Sequence, residues 1–107
     1  MAGSLGDLGG LLRQAQKMQR QVAELQDELG KRSFEGSAGG GAVVVTVNGK
    51  REFQAIRIKP EVVDPGDVEM LEDLVGAALK DALQKAEEAS SEAMKGVTGG
   101  LGLPGMP

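Results

Sequence analysis

The chain has 107 residues with no cysteine, histidine, tryptophan or tyrosine, and its aromatic residues are Phe34 and Phe53. This excludes thiol and imidazole catalysis, disulfides and Cys/His zinc sites, and leaves Leu, Val, Ile, Met and Ala to build one small core. The net charge of −4 is unevenly spread: residues 1–30 carry −1, residues 31–60 carry +4 and residues 61–107 carry −7, so a basic island lies within an acidic protein.

Residues 1–6 read as a short flexible lead. Met1 to Asp7 lacks a basic region and a sustained apolar run, so no signal peptide is expected and the cytoplasm is the expected location. Asp7 is a plausible cap for a helix whose apolar positions are Leu8, Leu11, Ala15, Met18, Val22, Leu25 and Leu29. The steps alternate between three and four, the spacing of a coiled-coil seam. Gly30 marks the stop. Such a helix is about 35 Å long, more than a small sheet covers, so part of the seam needs another helix. We expect Leu11, Ala15, Met18, Val22, Leu25 and Leu29 to form a helix and dimer seam, because a small aliphatic core leaves a lone domain marginal.

The period changes after residue 30. Lys31 to Glu35 reads as a short strand, and residues 36–41, five of them Gly or Ser, as a flexible link. Ala42 to Val47 is β-branched, Asn48-Gly49 marks a hairpin, and Glu52 to Lys59 returns as its partner. Ile56 and Ile58 fall on one face of that strand, Arg57 and Lys59 on the other. Pro60 ends it. The pattern predicts a three-stranded antiparallel meander with one basic, solvated face.

A second helix is predicted from Asp64 as N-cap with Pro65 at the first helical position. Its apolar side includes Leu71, Leu74, Val75, Ala78, Ala82, Leu83, Ala86, Ala89 and Ala93, leucine-rich where it would lie on a sheet and alanine-rich where two helices approach closely. Residues 7–95 then form one domain of the α+β class, and the Gly/Pro-rich residues 96–107 read as a disordered tail.

Several motifs carry no chemistry. Residues 100–105 match G-x-G-x-x-G but follow no strand and open no helix. Asp64, Asp67 and Glu69 begin like a calcium loop, but Val75 stands where the twelfth-position carboxylate is needed. The carboxylates Glu69, Glu72 and Asp73, and Glu87, Glu88 and Glu92, read as solvated helix faces. No catalytic residue, metal, cofactor, small-molecule substrate or membrane partner is expected, and no apolar stretch is long enough to span a bilayer.

The basic residues are the candidates for function. Arg13, Lys17 and Arg20 share one helical face, Lys31 and Arg32 follow at its end, and Lys50, Arg51, Arg57 and Lys59 come from the meander. A dimer would present every patch twice, matching the pseudo-symmetry of a duplex. With no aromatic platform for unstacked bases, duplex DNA is preferred over single strands. The alternative is a chaperone-like or adaptor module that clasps protein segments between its helical arms.

The order of helix, meander, helix and Gly/Pro tail resembles the YbaB/EbfC family of bacterial nucleoid-associated proteins. The likeness is carried by residues 11–19 (LLRQAQKMQ), by Val47-Asn48-Gly49-Lys50, by residues 70–75 (MLEDLV) running on to Ala77-Ala78 and Asp81-Ala82, and by Gly99-Gly100-Leu101. Arg51 and Phe53 depart from the small or acidic-then-aliphatic residues that often follow Asn-Gly-Lys in that family. The resemblance implies a homodimer with helices projecting as tweezer arms. It also implies duplex binding with low or variable sequence preference, and a place in the nucleoid in its organisation and in gene regulation.

Overall fold

A computed structural model describes residues 2–99, with side chains described for residues 7–97. The elements in chain order are α1 (Ala2–Lys31), β1 (Ser33–Ala38), β2 (Val43–Asn48), β3 (Phe53–Ile58), a 3-10 turn at Pro60–Val62, and α2 (Val68–Gly99). The sheet order is β1-β2-β3, antiparallel throughout. The expected α+β architecture is therefore present.

The core lies between α2 and one face of the sheet. Val43, Val45 and Val47 alternate along β2 toward α2 and are fully buried, and Ala78, Ala82 and Ala86 meet them at one-turn spacing. Phe34, Gly36 and Ala38 face the same way, since they pair with Val47, Val45 and Val43. At Gly36 the helix backbone sits directly on the strand: a Cβ there would come within 2.2 Å of Ala78 O and Ala82 N. Gly36 thus belongs to β1 and not to a flexible link, because only glycine lets strand and helix touch. The link shrinks to Gly39, Gly40 and Gly41, all left-handed, with φ of 63°, 68° and 91°.

The edge of β1 is closed by α2. Ser37 N–H donates to Asp81 Oδ2 at 3.1 Å, and Lys85 Nζ donates to Glu35 O at 3.0 Å. Asp81 and Lys85 pair with each other at 3.3 Å. The Ser37 N–H, reinforced by Lys85, holds the Asp81 carboxyl below its ordinary value. One helical turn thereby occupies groups that would otherwise template another strand.

Among the described residues, nothing comparable covers β3. Phe53, Ile56 and Ile58 pair with Val47, Val45 and Val43, so they share the helix-facing side, yet every β3 residue is exposed. The helix is centred on β1 and β2 by its seat at Gly36, and β3 lies beyond its reach. The expected apolar face of the strand exists, but α2 of the same chain does not bury it.

Three helix boundaries differ from the sequence reading. α1 begins at Ala2, ahead of Asp7, and α2 continues to Gly99, past Lys95. The α2 cap is Asp67, whose Oδ1 accepts the Met70 N–H at 3.2 Å. Asp64 instead closes a turn around Pro65-Gly66, accepting Gly66 N–H on Oδ1 at 2.8 Å and Asp67 N–H on its carbonyl at 2.9 Å. Pro-Gly makes the turn first, and the helix starts three residues later. Residues 100–105, with their glycine motif, lie outside the described residues.

The molecule is elongated, with extents of 77 × 26 × 17 Å and a radius of gyration of 21.0 Å. A compact chain of this size has a radius of about 13 Å. The length comes from α1 and the second half of α2, which run together away from the sheet.

Replacing Gly36 with alanine is expected to lower stability by about 3 kcal/mol or more, because the new methyl group meets helix backbone. Gly10→Ala, where a Cβ meets nothing within 4 Å, is the helical control and is expected to be stabilising. Urea unfolding followed by circular dichroism compares them. For Asp81→Asn, the pH dependence has a fixed sign. A carboxyl lowered in the folded state adds stability above its ordinary value and loses it as pH falls through the lowered one. Melting temperatures of wild type and variant should therefore differ at neutral pH and converge in acid.

Candidate nucleic-acid interface

The hairpin between β2 and β3 is built around Asn48, which is buried and fully bonded. Its Oδ1 accepts the N–H of Lys50 at 2.9 Å and of Glu52 at 3.0 Å, and its Nδ2 donates to Glu52 Oε1 at 2.8 Å. The turn is not the mirror-image two-residue type that Asn-Gly often makes, since Gly49 has no positive φ. Arg51 takes the left-handed position instead, with φ of 66°.

Gly49 serves another purpose. Its N–H donates to Leu29 O at 2.8 Å and shares Arg32 O at 3.2 Å, and a Cβ there would come within 2.3 Å of Leu29 O. The hairpin tip is thus bonded to a carbonyl in the last turn of α1 and to one just past its end, where carbonyls lack a following helical turn. Gly30 completes the contact, because the Lys50 side chain lies across it, with Cε 3.1 Å from where a Cβ would be.

This joint brings four cations from two distant segments into one region. Lys31 and Arg32 come from the end of α1, Lys50 and Arg51 from the hairpin, and all four are exposed. Arg32 lies 5.0 Å over the Phe34 ring, which orients it without neutralising it. Among the described residues, ion pairs join Arg57 to Glu35, Lys85 to Asp81 and Lys95 to Glu92, and none involves these four.

The other basic residues stand differently. Arg57 lies on the sheet face away from α2, 3.7 Å from Glu35, and Lys59 follows just past β3, with its N–H on Ala42 O. Arg13, Lys17 and Arg20 form a second basic group out on α1, where Lys17 borders the groove between Met18 and Gln21 of α1 and Ala93 and Gly96 of α2. Glu24, Asp27 and Glu28 occupy the same helical side between that group and Lys31. The basic surface is therefore two patches about 16 Å apart along the helix with an acidic belt between them, not one continuous track.

The apolar seam of α1 becomes less buried with distance from the sheet. Leu29 is buried, Leu25, Val22 and Met18 are half-buried, and Ala15 and Leu11 are exposed, Leu11 by 61%. α2 covers the inner part alone. The outer face of α2 carries Glu69, Asp73 and Glu87 and is acidic, while Val75, Leu79 and Leu83 lie on the flank turned toward the β3 side of the sheet.

A family model described as the YbaB/EbfC DNA-binding family matches residues 5–101. A nucleoid-associated protein of Clostridium perfringens (strain SM101 / Type A) is 58% identical over 104 residues, covering 97% of this chain and 93% of that protein. A nucleoid-associated protein of Clostridium kluyveri is 52% identical over 104 residues, covering 97% and 91%. In structure, the chain is similar to the crystal structure of an uncharacterized protein of Helicobacter pylori, with a TM-score of 0.71, 25% identity, and coverage of 85% and 92%.

Proposed function

The chain belongs to the YbaB/EbfC DNA-binding family, and on that premise we propose that it is a nucleoid-associated protein that grips duplex DNA as a homodimer. The observation that carries the proposal is the gathering of Lys31, Arg32, Lys50 and Arg51, unpaired and exposed, at the joint between hairpin and helix. Four unneutralised cations held by backbone bonds suit the phosphate backbone, which every duplex presents, and read no base edge. Low or variable sequence preference follows from such contacts, as does a general role in organising the nucleoid and modulating genes. The acidic face of α2 repels DNA and leaves the basic patches as the points of approach.

The dimer rests on a surface that is apolar, open and continuous with the core. Phe53, Ile56 and Ile58 of β3 are 61%, 39% and 37% exposed beside the Leu79–Leu83 flank of α2. Among the described residues, β3 also has a free backbone edge, whereas that of β1 is engaged by Asp81 and Lys85. A second copy fits this face, because the same face supplies both the apolar strip and the helix flank to cover it. Two-fold pairing there doubles the cation clusters.

A second reading draws on the far end of the arm, where Leu8, Leu11 and Leu12 are 60%, 61% and 61% exposed. That apolar tip suits a chaperone-like or adaptor role, gripping segments of other proteins.

Lys31→Glu combined with Arg32→Glu is expected to weaken duplex binding about tenfold or more and to flatten its salt dependence, while the dimer persists. Fluorescence anisotropy at several salt concentrations measures this, with a single strand as control. Unchanged affinity removes the two residues from the interface, and a wild type that ignores duplex at low salt selects the protein-gripping reading. Ile56→Asp with Ile58→Asp is expected to yield a folded monomer by light scattering coupled to gel filtration. A persisting dimer would move the interface to the α1 seam.

A further inference from the structure

Among the described residues, Arg51 is the only non-glycine with a positive φ. The conformation is imposed by the turn. Asn48 Oδ1 holds the N–H groups of Lys50 and Glu52, and Arg51 N–H donates to Asn48 O at 2.9 Å. The chain closes this loop only with a left-handed fourth residue. Glycine takes that conformation freely and asparagine with little difficulty, whereas the arginine Cβ crowds its own carbonyl.

Nothing within the fold compensates. Arg51 has no ion pair, side-chain hydrogen bond or aromatic contact among the described residues. Its neighbours are better anchored: Arg32 lies over Phe34, and the Lys50 stem lies across Gly30. Arg51 is thus a strained residue without an internal partner among the described residues, exposed within an unneutralised cluster. A strained backbone position whose side chain has no internal partner points toward an external ligand.

We propose that Arg51 anchors the phosphate backbone for the cluster, its guanidinium fork taking two oxygens of one phosphate, at the expense of hairpin stability. The inference rests on the duplex-DNA reading above and adds a feature that reading does not require: at this position, stability and binding oppose each other. Elsewhere in the cluster, loss of charge lowers affinity without stabilising the fold.

The test compares full-length wild type with Arg51→Gly, Arg51→Asn and Arg51→Lys by thermal unfolding and by duplex titration over a range of salt. Arg51→Gly and Arg51→Asn are expected to raise Tm, the glycine variant by about 4 °C. Both should weaken duplex binding about fivefold or more, with a salt slope reduced by about 0.9 for each phosphate no longer neutralised. Arg51→Lys keeps the charge and the strain, so it should keep the wild-type Tm and bind better than the other two. A glycine variant that gains Tm but retains wild-type affinity and slope overturns the anchor, even where Lys31→Glu with Arg32→Glu still weakens binding. A glycine variant with unchanged or lower Tm overturns the strain. Wild type that ignores duplex at low salt removes the duplex reading, and the anchor with it.

Discussion

The contact between Gly36 and the backbone of α2 at Ala78 and Ala82 is the constraint on which the rest of the architecture depends. It sets the height of the helix above the sheet and its lateral position over β1 and β2. The three valines of β2 and the three alanines of α2 then fill the shallow space between them. Small residues on both sides replace the aromatic bulk that the chain lacks, so the core works by close approach and not by volume.

Two functional features follow from that placement. With the helix over β1, Asp81 and Lys85 reach the outer backbone of that strand, while the apolar side of β3 is left exposed. The second half of α2, having passed the sheet, meets α1 and carries its seam only as far as Met18. The same geometry therefore produces one closed edge, one open edge and an arm that is covered at its base and bare at its end. A chain that buried all of this within itself would have no surface left for assembly.

Much of this arrangement is legible in the sequence because the periods are clean. The three-four spacing from Leu8 to Leu29 reads as a helix, and the β-branched run from Ala42 to Val47 followed by Asn48-Gly49 reads as a hairpin. Other features depend on contacts between residues far apart in the chain. Gly36 reads as part of a linker because its neighbours are Gly and Ser, and only the seat of α2 shows why it belongs to a strand. Asp64 and Asp67 both fit a helix cap, and Pro65-Gly66 decides between them by turning first. Among the candidate site residues, sequence identifies the cations but not their grouping. Lys31 and Arg32 meet Lys50 and Arg51 because Gly49 bonds to the end of α1, a contact that no local pattern announces. Arg13, Lys17 and Arg20 read as continuous with them until Glu24, Asp27 and Glu28 are placed on the same side. The left-handed residue is hidden as well, since Asn-Gly draws attention to Gly49 while the turn places that demand on Arg51.

One unbroken helix of 32 residues serves both as the lid of the sheet and as half of the arm. In mechanical terms α2 is a beam clamped at Gly36, and its section beyond Ala86, past the sheet and beside α1, is about 20 Å long. A tilt of about 5° at the clamp moves its end by about 2 Å, with no joint along the span to absorb the motion. The reach of the arm is therefore set by the sheet that clamps it, so a change beneath three alanines becomes a displacement at the arm's far end.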